Sequence, residues 1–424
     1  MGKSFKVNFQ KNNHAFFQVT SFIKPKKLKP LHKIFHHKGL LETFDKINKS
    51  NGKVALVGGV VRSILLKEKI IEKNTFFDLA TNLQPKQIIK IFKNKNIKYI
   101  DQGIKHGTVT LKIHGLHIEV TSLRKDIVSK GRYADVDFHD NWEVDAKRRD
   151  LTINAIYIDP LGKIYDPVDG IKDLFNGRVE FIGDIGERIK EDYLRMLRFI
   201  RFHVKYSSKE VSEEKILVLK KFSDQVKNLS KERILQEQRI IFSQNLSKSI
   251  ISADLMIKTN LDLSCYGIKF DLAKIKALQE FSINLNWISK LAILTYRNQT
   301  GKFLKFFPLS SREKLVFFNL KKLLIKKEVN QLLSDDWKFA VYYLGDDVAL
   351  RLLLSSDLTD KIKNRMKLIL KFTKPEFPIC GDDLIKLGFR QGVDLGKVLK
   401  KLETKWVKSN FLIDKDQLLA EINN

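Results

Sequence analysis

Apolar residues repeat along this chain with two different periods, and the change from one to the other falls near Gly183. Before it, alternation dominates. Residues 108–113 alternate, a His114-Gly115 turn follows, and residues 116–121 alternate again, which predicts a β-hairpin. In its second strand Leu116, Ile118 and Val120 fall on one face, and His117, Glu119 and Thr121 on the other. Glu119 is therefore expected to point away from the apolar layer. Residues 53–57 form a short apolar run, 152–158 read as a strand closed by an Asp159-Pro160 turn, and 86–92 read as a helix between the early strands. This third of the chain predicts a mixed α/β domain.

Beyond Gly183 strand signals fade and helical spacing takes over. A single helix is expected over 187–202, burying Ile189, Tyr193, Met196 or Leu197, and Ile200. Further amphipathic segments cover 230–242, 271–281, 311–325 and 358–372. A loop with Pro375 and Pro378 precedes a last segment from Gly381 onward, and no internal repeat is visible. The architecture expected is α+β, a mixed-sheet head followed by a long helical body.

With 424 residues the chain is too long for one core and suggests two to four domains. No apolar run is long enough to span a bilayer. The first 41 residues lack acidic side chains but carry lysine rather than arginine and have no clean apolar stretch, so a basic N-terminal arm over 1–40 is expected rather than a targeting peptide. Cys265 and Cys380 form no paired motif, which argues against a disulfide framework or a zinc site and suits a reducing cytoplasm. Lysine and arginine total 78 against 49 acids, a net charge of +29, and a chain so basic should bind polyanions.

The chemistry begins at Gly58. A strand runs into Gly58-Gly59, Arg62 follows, and the next predicted strand carries Asp78. Glycines let backbone N–H groups approach phosphate oxygens, Arg62 can add a charge-assisted contact, and Asp78 is a hard oxygen ligand for magnesium. A second group is Arg148-Arg149-Asp150 with Asn154, which could position a phosphate and a ribose, or simply form a charged turn before a strand. A third is Glu191-Asp192-Tyr-Leu-Arg195, continued by Arg198 and Arg201. Asp192 and Arg195 together can match the Watson–Crick edge of a base; a salt-bridged solvated face accounts for the same pattern. None of the nine histidines falls in a metal-ligand pattern, and His106 reads as structural.

In this order the motifs resemble the class II tRNA nucleotidyltransferases, the CCA-adding enzymes, within the family that includes bacterial poly(A) polymerases. The resemblance runs from about Leu41 to Phe202. It resumes at Ser230-Lys-Glu-Arg233-Ile-Leu-Gln-Glu237, similar to the family's neck helix, and at Pro378-Ile-Cys-Gly381-Asp382-Asp-Leu384 with Gly388, Gly392 and Gly396 in the tail. It implies a DNA polymerase beta-like nucleotidyltransferase head (41–183), a neck with a nucleotide-template helix (184–260), a helical body (261–374) and a tRNA-binding tail (375–424). It further implies magnesium-dependent addition of nucleotides from CTP and ATP to the tRNA 3′ end. Gly58, Gly59 and Arg62 would hold the triphosphate, Arg149, Asp150 and Asn154 its phosphate and sugar, and Asp192 and Arg195 would read the base beside Arg198 and Arg201. Asp78 and Glu119 would be the catalytic carboxylates, with Asp78 on the metal.

Two departures accompany the resemblance. The family's Asp-x-Asp is Phe76-Phe77-Asp78 here, and its aspartate after the motif arginine is Ser63. The stretch from Arg62 to Asp78 is longer than usual, and Glu72 has the wrong spacing to replace Phe76. These changes keep a catalytically impaired RNA-binding protein open, beside a poly(A) polymerase and an enzyme adding only A or CC. Three basic clusters are candidates for RNA contact: Lys321, Lys322, Lys326 and Lys327; Lys361, Lys363, Arg365 and Lys367; and Lys397, Lys400, Lys401 and Lys405.

Overall fold

The computed structural model describes residues 34–420 apart from residues 69, 71–75, 94–97, 101–102, 131–132, 262, 280, 282–283, 296–299, 322–324 and 357. Most of the expected basic arm and Glu72 lie outside the described residues. The chain forms two compact units, Met1–Leu229 with Thr259–Leu261, and Ser230–Lys258 with Asp262–Asn424. The boundary between them falls inside the segment 184–260.

The first unit is built on a seven-stranded sheet in the order β3-β4-β5-β2-β1-β8-β9. Its strands are β1 (Val54–Val57), β2 (Phe76–Thr81), β3 (Lys98–Ile100), β4 (Thr108–Ile113), β5 (Leu116–Ser122), β8 (Tyr157–Ile158) and β9 (Ile164–Tyr165). A separate hairpin pairs β6 (Arg124–Lys130) with β7 (Tyr133–Phe138). The β4–β5 hairpin closes with Ile113 opposite Leu116. Its two loop residues, His114 and Gly115, have φ of 46° and 80°, the left-handed pair that a two-residue turn needs to match strand twist.

Helices α1 (Lys38–Lys49) and α3 (Pro85–Phe92) cover one face of this sheet, burying Leu40, Phe44 and Ile47, and Ile88 and Phe92. That face carries Phe77 and Leu79 of β2 and Ile118 and Val120 of β5. The opposite face is sealed at one end. There Ala55, Val57, Ala80 and Leu123 pack with Trp142 and Ala146 of α4 (Trp142–Lys147), and with Ala155, Tyr157 and Ile182. At its other end, where β2 begins, the same face stays open.

Two expectations are corrected here. Residues 152–158 are not one strand: Thr152–Asn154 is a 3₁₀ turn and only Tyr157–Ile158 pairs in the sheet. The β-branched residues imitate a strand, but Thr152 and Asn154 direct their side chains into buried hydrogen bonds with Asp173 and Asp150. The helix over 187–202 is likewise two. α6 (Ile185–Glu191) ends at Asp192, whose backbone is extended with φ −157° and ψ 106°, and α7 (Leu194–Tyr206) begins after Tyr193. Helix α2 (Gly59–Leu65) directly follows β1, and α5 (Gly170–Phe175) lies between β9 and α6 along the chain.

The second unit is helical, apart from an isolated bridge between Phe270 and Thr295 among the described residues. Helix Lys231–Ser243 starts on Ser230, whose hydroxyl accepts from the Arg233 N–H. Its C-terminal end is capped from afar: Lys290, 2% exposed, donates its ammonium to the carbonyls of Phe242 (3.0 Å) and Gln244. A second core gathers Tyr342, Leu384, Leu395, Leu402, Trp406 and Leu418 around helix Val393–Lys408. Among the described residues no helix is long and apolar enough to cross a membrane.

Candidate active site

β2 and β5 run parallel, with Asp78 directly opposite Glu119. Alternation puts both on the open face of the sheet. β1 lies on the other side of β2 and ends in Gly58, whose φ of 74° turns the chain into α2. A Cβ at Gly58 would lie 3.0 Å from a carboxylate oxygen of Asp78, so the turn presses its backbone onto that carboxylate. Burial pushes Asp78 up to about 6, the negative charge of Glu119 adds to the shift, and Arg149, Arg62 and Arg198 oppose it. Burial also raises Glu119. No hydrogen bond from the described residues reaches either carboxylate. Two acids side by side, one of them raised to about 6 in spite of three nearby arginines, make a site that a hard cation would relieve.

The arginines that act on Asp78 are anchored elsewhere. Arg62, on α2, is buried. It donates to the carbonyl of Ile153 (3.4 Å) and to the side-chain oxygen of Asn154, and its guanidinium lies over the rings of Phe202 (4.8 Å) and Tyr206 (5.2 Å). Asn154 passes the connection on, its amide donating to Asp150 at 2.8 Å. Asp150 in turn accepts from Arg198 at 2.6 Å, and Arg198 returns to the Phe202 ring at 5.5 Å. Arg201 packs on the same ring, 4.4 Å from its centroid. A closed circuit of Arg62, Asn154, Asp150, Arg198 and Phe202 thus joins α2, the 3₁₀ turn and α7. Arg198 and its partners hold Asp150 far below the usual carboxylate range despite its burial.

A second network was not legible as a motif. Asp145, 1% exposed, accepts from Arg148 (2.7 Å), from Arg149 at two nitrogens (3.1 and 3.0 Å) and from the Tyr157 hydroxyl (2.8 Å). Arg149 is thereby fixed by Asp145 rather than exposed in a charged turn. Arg195 is fixed as firmly: it pairs with Glu191 and donates to the carbonyls of Arg188 (3.1 Å) and Arg148 (3.2 Å). Asp192 accepts from the Leu194 N–H at 3.1 Å. Asp192 and Arg195 therefore meet at the junction of α6 and α7, not along one helix face. The signal for Asp145 would have been its i,i+3 and i,i+4 spacing to Arg148 and Arg149.

The positions that depart from the family pattern are also defined. Ser63 donates to Glu68 (3.0 Å) and does not join the carboxylates. Phe76 shares the open face with Asp78, is 54% exposed and packs against His117. Among the described residues no group of three His, Cys, Asp or Glu side chains is arranged to hold a metal ion.

The basic clusters separate. Lys397, Lys400, Lys401 and Lys405, with Thr404 and Lys408, line one shallow depression along helix Val393–Lys408. Arg365 is instead half-buried, its guanidinium over the Trp337 ring at 5.1 Å. Lys361, Lys363, Arg365 and Lys367 step by two along a helix and share no single face. Lys322 and the side chains of Lys321, Lys326 and Lys327 lie outside the described residues.

Residues 54–180 match the poly A polymerase head domain. A CCA-adding enzyme of Ligilactobacillus salivarius is 30% identical over 403 residues, covering 90% of this chain and 95% of the relative. The fold is similar to that of the Bacillus stearothermophilus CCA-adding enzyme in complex with CTP, with a TM-score of 0.59 and 20% identity over 95% of this chain and 98% of that one. It is equally similar to the Thermotoga maritima CCA-adding enzyme complexed with tRNA, with a TM-score of 0.60 and 20% identity over 94% and 95%.

Proposed function

Because the chain belongs to the CCA-adding enzymes of the tRNA nucleotidyltransferase family, we propose that it adds C, C and A to the 3′ end of tRNA, using CTP and ATP. The observation that carries this reading is the register of Asp78 with Glu119 beneath the Gly58 turn, inside a wall of anchored arginines. Two part-buried carboxylates set side by side cost stability unless a cation neutralises them, so a protein without turnover would gain nothing from keeping the pair.

The residues suit magnesium. This ion is commonly held by one or two carboxylates together with substrate phosphate oxygens, and Asp78 would be its carboxylate ligand, with Glu119 beside it. When bound, it would supply positive charge to the triphosphate and to the attacking hydroxyl. Asp78 has to be ionised to take part, which its value of about 6 allows at neutral pH. Gly58 and Gly59 leave room for phosphate oxygens next to it. Glu119, on the side of Asp78 away from the glycine turn, is the acceptor for the proton of the tRNA 3′-hydroxyl. The hydroxyl oxygen then bonds to the α-phosphorus while the bond to the pyrophosphate oxygen breaks.

Asp192 and Arg195 read the base edge, and their fixed hydrogen bonds keep donor and acceptor in place before the nucleotide arrives. Arg62, Asp150 and Asn154 act mainly by holding Arg198 toward the triphosphate, with Arg201 beside it on the Phe202 ring, and Arg149 tempers the charge of Asp78. In this reading residues 41–183 form the catalytic head, 184–260 the neck, 261–374 the body and 375–424 the tail, whose lysines on helix Val393–Lys408 meet tRNA phosphates.

Phe76 favours one competing reading, a binding protein without turnover. Labelled CTP and tRNA lacking its CCA end separate the two. The enzyme incorporates label in the presence of magnesium and loses this with Asp78→Asn, whereas a binding protein retains tRNA and CTP and incorporates nothing.

A further inference from the structure

A half-exposed phenylalanine on the polar face of a sheet gains little from burial, so Phe76 invites another account. It starts β2 directly across from His117, the ring centroids 5.2 Å apart and the planes tilted by 54°. On the far side of His117, β4 places the exposed Lys112 in register. Phe76, His117 and Lys112 therefore form one cross-strand row: an aromatic ring, an imidazole and an ammonium. The next row on the same face, about 6.6 Å along the strands, holds Asp78, Glu119 and Thr110.

The sheet order decides which ligand meets this row. Gly58 lies on the β1 side of Asp78, and His117 and Glu119 lie on its β5 side. In an in-line displacement the attacking oxygen and the departing pyrophosphate occupy opposite sides of the phosphorus. With the triphosphate at the glycine turn, the RNA 3′ end approaches over β5. Bases stack on exposed aromatic rings whatever their identity, and a lysine beside the ring suits the adjoining phosphate.

We propose that Phe76, backed by His117, is the stacking platform for the base of the RNA's 3′-terminal nucleotide, with Lys112 on the neighbouring phosphate. The proposal rests on the reading of this site as nucleotidyl transfer to tRNA. It makes Phe76 a positioning residue for the acceptor RNA, occupying a place where the family pattern has a carboxylate.

The test uses the full chain and a tRNA lacking CCA whose 3′-terminal nucleotide carries 2-aminopurine. Wild-type protein and Phe76→Tyr are expected to quench its fluorescence on binding. Phe76→Ala should lose the quench and raise KM for tRNA about 5- to 100-fold, with KM for CTP unchanged. Because Phe76 is exposed, Phe76→Ala should melt with the wild type. Equal quenching by wild type and Phe76→Ala, or a rise in KM for CTP instead of tRNA, would overturn the platform. A wild-type protein that quenches the probe but incorporates no nucleotide supports the platform and contradicts the transfer reaction instead.

Discussion

Asp78 is a residue kept ionised at a cost to the folded chain. Its carboxyl titrates near 6 against an ordinary 3.8. Between those values the folded protein binds more protons than the unfolded one, so stability falls as pH rises through this window. Asp78→Asn removes the burden. It is expected to be more stable than the wild type by about 1–3 kcal/mol at pH 8, with the gap closing as pH drops toward 4, as thermal melts would record. The same variant should incorporate no nucleotide. Wild-type activity should rise with pH through about 6, and a pH–rate profile checks the direction. The side of the strand on which Glu119 lies was legible from alternation, because a period of two fixes which side a residue faces; its register with Asp78 across two strands was not, because nothing local sets it. For Asp145 the sequence offered only its spacing to Arg148 and Arg149, and its burial against the Tyr157 hydroxyl, 12 positions along the chain, was not legible.

Elements were legible where local geometry and tertiary demand agree. The β4–β5 hairpin follows from its alternation and its His114-Gly115 turn. The junction of α6 and α7 does not follow, because no glycine or proline marks Asp192; the break is held by Arg195, which donates to the carbonyls of Arg188 and Arg148. Arg195→Ala should therefore loosen the junction as well as remove a base contact, raising KM for both CTP and ATP. Residues 152–158 misled for the complementary reason, a strand-like composition overridden by buried side-chain bonds. Asp150→Ala tests that override. It strands Arg198 and the Asn154 amide in a half-buried circuit and is expected to destabilise the first unit by about 3–5 kcal/mol in chemical denaturation. Gly58→Ala strains a φ of 74° and pushes a methyl onto the Asp78 carboxylate. It should cut incorporation at least 100-fold, a loss of about 2.7 kcal/mol of transition-state stabilisation.

At the scale of the whole molecule, a charge of +29 makes affinity for RNA a matter of salt as much as of shape. Reversing Lys400, Lys401 and Lys405 to glutamate should weaken tRNA binding. It should also flatten the plot of log affinity against log salt by about 2 units, which filter binding at several salt concentrations would measure. Composition points to a polyanion but does not say which lysines would meet it, because Lys361, Lys363, Arg365 and Lys367 cluster in sequence and share no single helix face. In the proposed reaction Asp78 and Glu119 suffice for nucleotidyl transfer although Phe76 stands where the family pattern has its first carboxylate. The direct measurement is incorporation of labelled CTP and ATP into tRNA lacking its 3′ CCA, with magnesium, beside Asp78→Asn and Phe76→Asp. The unmodified protein should add two C and one A, and Asp78→Asn nothing. Incorporation by Phe76→Asp alone would contradict the proposed reaction, leaving a chain that keeps the family's fold and its tRNA without the reaction.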